Sequence, residues 1–216
     1  MRSYQIDRLN WMIKLYDNRV NGILVEEIGL CKTLQTISFL RYLKYFRKVD
    51  EPHLIIVAKS VLMNWINEIK KFCPTLNSFK FHRDKDTRKY TIEKILRKRK
   101  FDVRIISNEI AIKEKLSLNN FKWKYIVIDE AHRIKNENSV LSQCVRLFPS
   151  QLRLLLIGTP LQNNLHELWA LLNFLFPEVF GSVEDFDSWF NLKEGQAANE
   201  IVDQLHKVLK PFLLRD

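Results

Sequence analysis

No run of eighteen or more apolar residues occurs in the chain, so a membrane span is not expected. Its opening residues, Met1-Arg2-Ser3-Tyr4-Gln5, lack the apolar core of a secretory signal, which argues against export. Cysteine is scarce. Cys31, Cys73 and Cys144 are odd in number and lack metal-ligand spacing, so they read as reduced thiols of an intracellular protein. Neither an internal repeat nor a low-complexity linker is present. What remains is an ordinary globular composition, 46% hydrophobic and 28% charged, over 216 residues. That length suits one well-packed domain, or at most two small ones. The net charge of +10 points to an anionic partner, with nucleic acid the foremost. It is unevenly spread, since residues 83–100 hold nine basic side chains against three acids. A solvated helix face is the commoner meaning of such a run, and a DNA contact the rarer one.

Two stretches carry chemistry. In the first, the apolar run Gly22-Ile23-Leu24-Val25 reads as a strand, followed by a loop, Lys32-Thr33 and a long helical pattern. That is the layout of a phosphate-binding loop. Backbone N–H groups curl around phosphates, a lysine ammonium meets the outer ones, and a threonine hydroxyl serves Mg²⁺. Lys32 and Thr33 suit the last two tasks. The loop departs from the pattern, with Cys31 before the lysine where glycine is usual and Glu26 at the place of the first glycine. An ordinary strand–turn–helix with a surface lysine is the plainer alternative.

The second stretch is Lys124-Tyr125-Ile126-Val127-Ile128-Asp129-Glu130-Ala131-His132, a buried-strand pattern ending on two carboxylates. An aspartate there, well downstream of a phosphate-loop lysine, is where a Walker B group holds Mg²⁺. The glutamate after it is placed to polarise an attacking water. A strand end capped by acids is the plainer reading.

Helical patterns are expected over residues 2–16, with an apolar stripe at Ile6, Leu9, Met12, Ile13 and Tyr16, and over 34–46, 61–72, 83–100, 141–147, 165–176, 185–190 and 201–209. Strands are expected over 22–25, 52–58, 78–82, 102–107, 124–128 and 153–157. Such alternation predicts an α/β domain with a mostly parallel central sheet flanked by helices. Ligands of such folds sit beyond the carboxyl ends of the strands. The phosphate loop, Lys59, Ser107, Asp129 and Thr159 all fall at predicted strand ends and should share one edge. Trp169, Phe174, Phe176 and Trp189 are expected in the core.

The Asp-Glu-Ala-His segment, Gly158-Thr159-Pro160-Leu161-Gln162-Asn163-Asn164 and Leu168-Trp169-Ala170-Leu171-Leu172-Asn173-Phe174 resemble motifs of a known family. It is the Swi/Snf-like chromatin-remodelling ATPases of helicase superfamily two. Tyr4-Gln5-Ile6, Leu9-Asn10-Trp11-Met12, Ile134-Lys135-Asn136-Glu137 and Phe186-Asp187-Ser188-Trp189-Phe190 are most similar to its imitation-switch (ISWI) subfamily. The likeness runs from about residue 2 to residue 215.

The resemblance implies the N-terminal RecA-like P-loop lobe of an ATP-driven, Mg²⁺-dependent DNA translocase that moves nucleosomes. It would span residues 1–216, with the helical part from about 165 in the same lobe. It implies adenine contacts from Tyr4 and Gln5, and a phosphate loop of Glu26, Glu27, Ile28, Gly29, Leu30, Cys31, Lys32 and Thr33. Lys32 and Glu130 would be catalytic, and Thr33 and Asp129 would hold the metal. Gly158 and Thr159 would couple nucleotide to DNA, which Lys59, Ser60 and Ser107 would touch. Double-stranded DNA, nucleosomes and accessory subunits are the implied partners, and the nucleus the implied location.

The family continues past this point into a second lobe that carries an arginine finger, so this chain alone is expected to show no appreciable DNA-stimulated ATP hydrolysis. It also departs from the family pattern at Arg8 (commonly Gly), Val25, Cys31, Ala58 (Pro), Ile106 (Thr), Asn108 (Tyr) and Ile157. Packing near Arg8 is expected to differ, and DNA contact at the Ser107 turn to be weaker. Two readings follow: an enzyme lobe, or a catalytically dead copy that binds DNA or a partner without nucleotide.

Glycine serves where backbone must approach a ligand closely. Losing one contact of the oxyanion-hole kind costs about 2.7–4 kcal/mol, roughly a hundredfold or more in affinity. Cys31→Gly is therefore expected to strengthen ATP binding, read as a larger thermal shift with Mg-ATP than the parent chain shows; equal shifts would refute it.

Overall fold

Strands buried on both faces need near-continuous apolar sequence, and most strands here have it. The computed structural model describes residues 2–26, 32–80, 101–158, 165–183, 186 and 212–215. Its strands are β1 (Gly22–Val25), β2 (His53–Val57), β3 (Ser78–Lys80), β4 (Val103–Ser107), β5 (Trp123–Ile128), β6 (Ser150–Ile157) and β7 (Leu213–Arg215). They form one sheet in the order β3-β4-β2-β5-β6-β1-β7, every pair parallel. The helices are α1 (Ser3–Asp17), α2 (Lys32–Tyr45), α3 (Leu62–Phe72), α4 (Asn108–Lys113), α5 (Lys115–Asn119), α6 (Val140–Arg146) and α7 (Leu165–Leu175), with a 3-10 turn at Ala131–Ile134.

Alternate residues of β1, β2, β4, β5 and β6 feed two cores. Leu24, Ile55, Val57, Ile105, Val127, Leu154 and Leu156 face α1, α2 and α3, meeting Met12, Phe39, Leu40 and Trp65. Ile23, Val25, Ile56, Ile106, Ile126, Ile128, Leu155 and Ile157 face the other layer, with Val145, Trp169, Leu171 and Phe174 of α6 and α7. Trp169, Phe174 and the partly buried Phe176 belong to this core, as expected from the sequence. Cys73 and Cys144 are buried, unbridged thiols.

The end of α7 is fixed by polar side chains. Asn21 donates to the Leu175 carbonyl (2.6 Å) and accepts from the Arg153 N–H (2.7 Å), while the Arg153 guanidinium lies 4.4 Å from the Phe174 ring centre. Cations at a helix C-terminus complement its dipole.

The structure differs from the sequence expectation in several places. Helix α2 begins at Lys32 rather than Leu34, which puts Lys32 and Thr33 in its first turn. On α1 the buried stripe is Gln5, Arg8, Met12 and Leu15, whereas the expected apolar stripe began at Ile6, which is 46% exposed. The cause is a buried ion pair that draws Arg8 inward. Helices α4 and α5 and strand β7 were not expected; each is too short to show a period. Phosphate-loop residues 27–31, the basic segment 83–100, Thr159, Trp189 and the expected helix at 201–209 lie outside the described residues.

Leu155 is fully buried on β6 between β5 and β1. Leu155→Ala is expected to cost about 2–5 kcal/mol of stability, measurable as a lowered denaturation midpoint with unchanged slope.

Candidate functional site

Register sets the site. Val25 lies opposite Ile157, Ile128 opposite Leu155, Ile56 opposite Ile128, and Val57 opposite Ser107. Because all these strands are parallel, Glu26, Ala58, Ser107, Asp129 and Gly158 leave the sheet at one edge. Backbone bonds continue the ladder past the strands: the Glu26 N–H donates to Ile157 (3.1 Å) and the Asp129 N–H to Ile56 (2.9 Å).

Asp129 is 8% exposed. Its Oδ2 accepts from the Trp65 indole N–H (2.8 Å) and its Oδ1 from the Glu130 backbone N–H (3.0 Å). Burial pushes its pKa upward, with the Glu130 charge adding to the rise. The Trp65 and Glu130 donors and the Lys32 charge oppose it. Lys32 is thus close enough to Asp129 to be felt electrostatically, although the two leave different strands.

The backbone turns sharply after Asp129. Glu130 adopts φ 51°, ψ 54°, a left-handed conformation that costs a non-glycine residue about 1 kcal/mol or more. Its Oε2 lies 3.2 Å from Nδ1 of His132, on the 3-10 turn. Downstream, Lys135 bonds Glu167 of α7 (2.6 Å), tying this turn to the second helical layer.

At the end of β1 a polar network closes around Glu26, itself 2% exposed. The carboxylate pairs with the Arg8 guanidinium. It also accepts from the Gln35 amide at 3.1 and 3.0 Å, while the Lys32 ammonium donates to the Glu26 carbonyl (2.9 Å).

The other expected site residues vary in placement. Gln5 is buried and its Oε1 accepts from the Arg2 N–H (2.8 Å), so the acceptor end of its amide caps α1. The Tyr4 ring lies 4.9 Å from the Arg8 guanidinium carbon. Lys59 and Ser60 form an exposed turn between β2 and α3. Ser107 is nearly buried; its hydroxyl accepts from the Ile110 N–H (3.4 Å) as the cap of α4 and bonds Glu109. That bond lowers the Glu109 pKa, with Lys59 and Arg133 contributing, so these three charges are neighbours. Gly158 follows directly on β6. Glu27, Ile28, Gly29, Leu30, Cys31 and Thr159 lie outside the described residues.

Sequence reasoning missed Trp65, Gln35 and Arg8. A tryptophan at an apolar helix position gives no sign that its N–H is aimed at a carboxylate. Arg8 did leave a signal, a cation on the i, i+4 stripe that leads to Met12.

The SNF2-related domain profile matches residues 4–216. The chain belongs to the SNF2-related domain family. This SNF2-related domain is 57% identical over 215 residues to an ISWI chromatin-remodelling complex ATPase of Arabidopsis thaliana, with 100% of this chain and 20% of that protein covered. It is likewise 57% identical over 215 residues to the human SWI/SNF-related matrix-associated actin-dependent regulator of chromatin subfamily A member 1, covering 100% of this chain and 21% of that one. Among solved structures it matches the Sulfolobus solfataricus SWI2/SNF2 ATPase core in complex with dsDNA at TM-score 0.84 and 32% identity, over 100% of this chain and 44% of that one. The chain thus spans about a fifth of the length of these curated relatives. Its parallel sheet and flanking helices are the RecA-like lobe of a SWI2/SNF2 ATPase core.

The electrostatics of Asp129 give this SNF2-related domain a pH signature. Its folded-state pKa lies above the ordinary 3.8. The stability contributed by its proton is therefore complete below that value and lost as pH climbs through the raised one. Relative to the parent, the melting temperature of the ligand-free Asp129→Asn chain is expected to be more favourable at pH 7 than at pH 4, since the variant lacks the group that titrates. A melting series across pH checks this.

Proposed function

We propose that this chain is the nucleotide-binding lobe of an ISWI-type, ATP-dependent DNA translocase that slides nucleosomes in the nucleus. The lobe would span residues 1–216, including the helical part from about 165. The observation that supports this most is that Lys32 and the Asp129–Glu130 pair, nearly a hundred residues apart in sequence, lie along one sheet edge, beyond β1 and β5 on either side of β6, near enough for the Lys32 charge to act on Asp129.

The residues present fit Mg-ATP. Asp129 is desolvated, held by two N–H donors, and raised in pKa, so its charge is under-compensated in the ligand-free chain and would be relieved by a cation. Beside phosphates, Mg²⁺ is usually held by only one or two protein carboxylates. Asp129 and Thr33 would hold it. Bound there, Mg²⁺ would neutralise charge on the phosphate oxygens.

The remaining work belongs to the chain's own groups. Lys32, in the first turn of α2, holds its ammonium on the Glu26 carbonyl and would turn it to the outer phosphates, while Glu27, Ile28, Gly29, Leu30 and Cys31 would offer backbone N–H groups. Tyr4 and Gln5 on α1 would face the adenine. Glu130, held off the strand axis by its left-handed turn, would orient the attacking water. Gly158 and Thr159 would report the state of the Asp129 end to the DNA side. Lys59 and Ser60, on an exposed turn, would meet DNA phosphates, with Ser107 bracing the neighbouring α4. Duplex DNA, nucleosomes and accessory subunits are the proposed partners.

A second reading rests on Cys31 in the phosphate loop. It is a nucleotide-independent module that binds DNA or a remodeller partner through its basic surface.

Duplex-DNA affinity measured with and without Mg-ATP separates the two. The enzyme-lobe reading expects Mg-ATP to raise the melting temperature and to change DNA affinity, with both effects lost in Lys32→Ala. Salt-sensitive DNA binding that ignores Mg-ATP would select the second.

A further inference from the structure

Two residues at the β1 end of the site carry opposite charges into the interior. Arg8, on α1, is 4% exposed, and Glu26, the first residue after β1, is 2% exposed. Their side chains form an ion pair. Gln35 of α2, fully buried, donates to both oxygens of the same carboxylate at 3.1 and 3.0 Å. The Glu26 main chain is engaged as well, its carbonyl accepting from the Lys32 ammonium (2.9 Å) and its N–H donating to Ile157 (3.1 Å). On the outer side of α1, the Tyr4 ring stacks on the Arg8 guanidinium.

We propose that Arg8 is a positioning residue for the nucleotide site. By neutralising the Glu26 carboxylate at the foot of the phosphate loop, it keeps that charge from opposing a polyphosphate and from competing for Lys32. This rests on the nucleotide-binding reading above and assigns one further residue to it.

The physical case is electrostatic. A carboxylate in the interior is weakly screened by water or salt, so its field reaches neighbouring groups at close to full strength. The Lys32 ammonium is bonded to the carbonyl of the same residue, so the Glu26 carboxylate is a near neighbour of the cation meant for phosphate. Left without a counter-charge, it would attract that ammonium and repel the several negative charges of a nucleotide. Arg8, on α1, supplies the counter-charge. Its planar guanidinium is charged at any working pH, which suits it to a buried pair. Gln35 adds a donor to both oxygens of the same carboxylate. Because the Tyr4 ring lies over Arg8, the α1 segment expected to face adenine is linked through that guanidinium to Glu26, where the phosphate loop begins.

Charge removal in two steps tests this. Arg8→Met keeps the side-chain length and removes the charge; Arg8→Met with Glu26→Gln removes both. Affinity for a non-hydrolysable ATP analogue with Mg²⁺ is measured by titration calorimetry on the parent chain and each variant. Ligand-free melting temperatures are recorded beside it, at low and at high salt. Arg8→Met is expected to weaken binding at least tenfold at either salt concentration. The double variant is expected to return to within about threefold of the parent, and Arg8→Lys to stay near the parent. A purely structural role would lower the melting temperature and leave the affinity of the folded chain unchanged. That pattern would overturn the proposal, and so would a double variant as weak as Arg8→Met. If the parent chain itself does not bind, the nucleotide reading fails and this proposal with it. Parent binding unchanged in Arg8→Met defeats only the role of Arg8.

Discussion

Parallel pairing in a fixed register turns positions scattered over more than a hundred residues into one chemical edge. Both faces of this sheet are apolar, so inward-versus-outward alternation alone does little to fix the register; a one-residue slip would exchange one apolar set for the other. The polar ends mark it instead. Sliding β5 by a residue would carry Asp129 into the sheet, away from the Trp65 N–H that it accepts. Sliding β1 would do the same to Glu26 and its Arg8 partner. An unpaired charge inside a dry sheet is far costlier than a misfitted methyl group. The residues expected to do chemistry are thus also the residues that align the strands.

The same edge concentrates conditions the rest of the fold avoids. Asp129 keeps a carboxylate where burial disfavours its charge, Glu130 holds a left-handed backbone, and Glu26 and Arg8 keep a full ion pair out of water. Pairs of that kind seldom stabilise a fold more than apolar side chains of equal volume would. Their presence at the mouth of a sheet whose strands are otherwise lined by leucine, isoleucine and valine is best understood as a demand of the site. Perturbed groups and strained backbone gather where function requires them.

Much of this was legible in the sequence. Gly22–Val25, His53–Val57, Val103–Ser107 and Trp123–Ile128 stand out as short apolar runs bounded by polar residues, because a strand covered on both faces has no other way to be written. Lys32 and Asp129 stand out because each follows such a run. What escaped the sequence is what depends on the third dimension. Strand β7 has three residues and acquires its identity only by pairing with β1. Helix α4 starts from a serine cap that looks like any turn. The stripe on α1 was misplaced because a buried arginine contradicts the rule that charges face water, and its warrant, Glu26, is a full strand away. Trp65 reads as core in the letters and is core in the structure; only geometry reveals that its one polar atom is directed at Asp129.

That indole links the two proposed surfaces of the lobe. Trp65 sits in the first turn of α3, directly after the exposed Lys59–Ser60 turn, and its ring is 1% exposed within the packed layer formed by α1, α2 and α3. Close-packed interiors transmit displacement rather than absorb it. The Asp129 carboxylate therefore cannot move along the sheet edge without either breaking its bond to the Trp65 N–H or carrying the start of α3 with it. Breaking the bond would leave a buried donor and a buried carboxylate oxygen without partners, a cost of about 1–3 kcal/mol for the donor alone and more for the charged group. Moving α3 shifts the turn that holds Lys59 and Ser60. Each response has its cost: the first leaves the bond partners unsatisfied, and the second shifts α3 against the layer that packs Trp65.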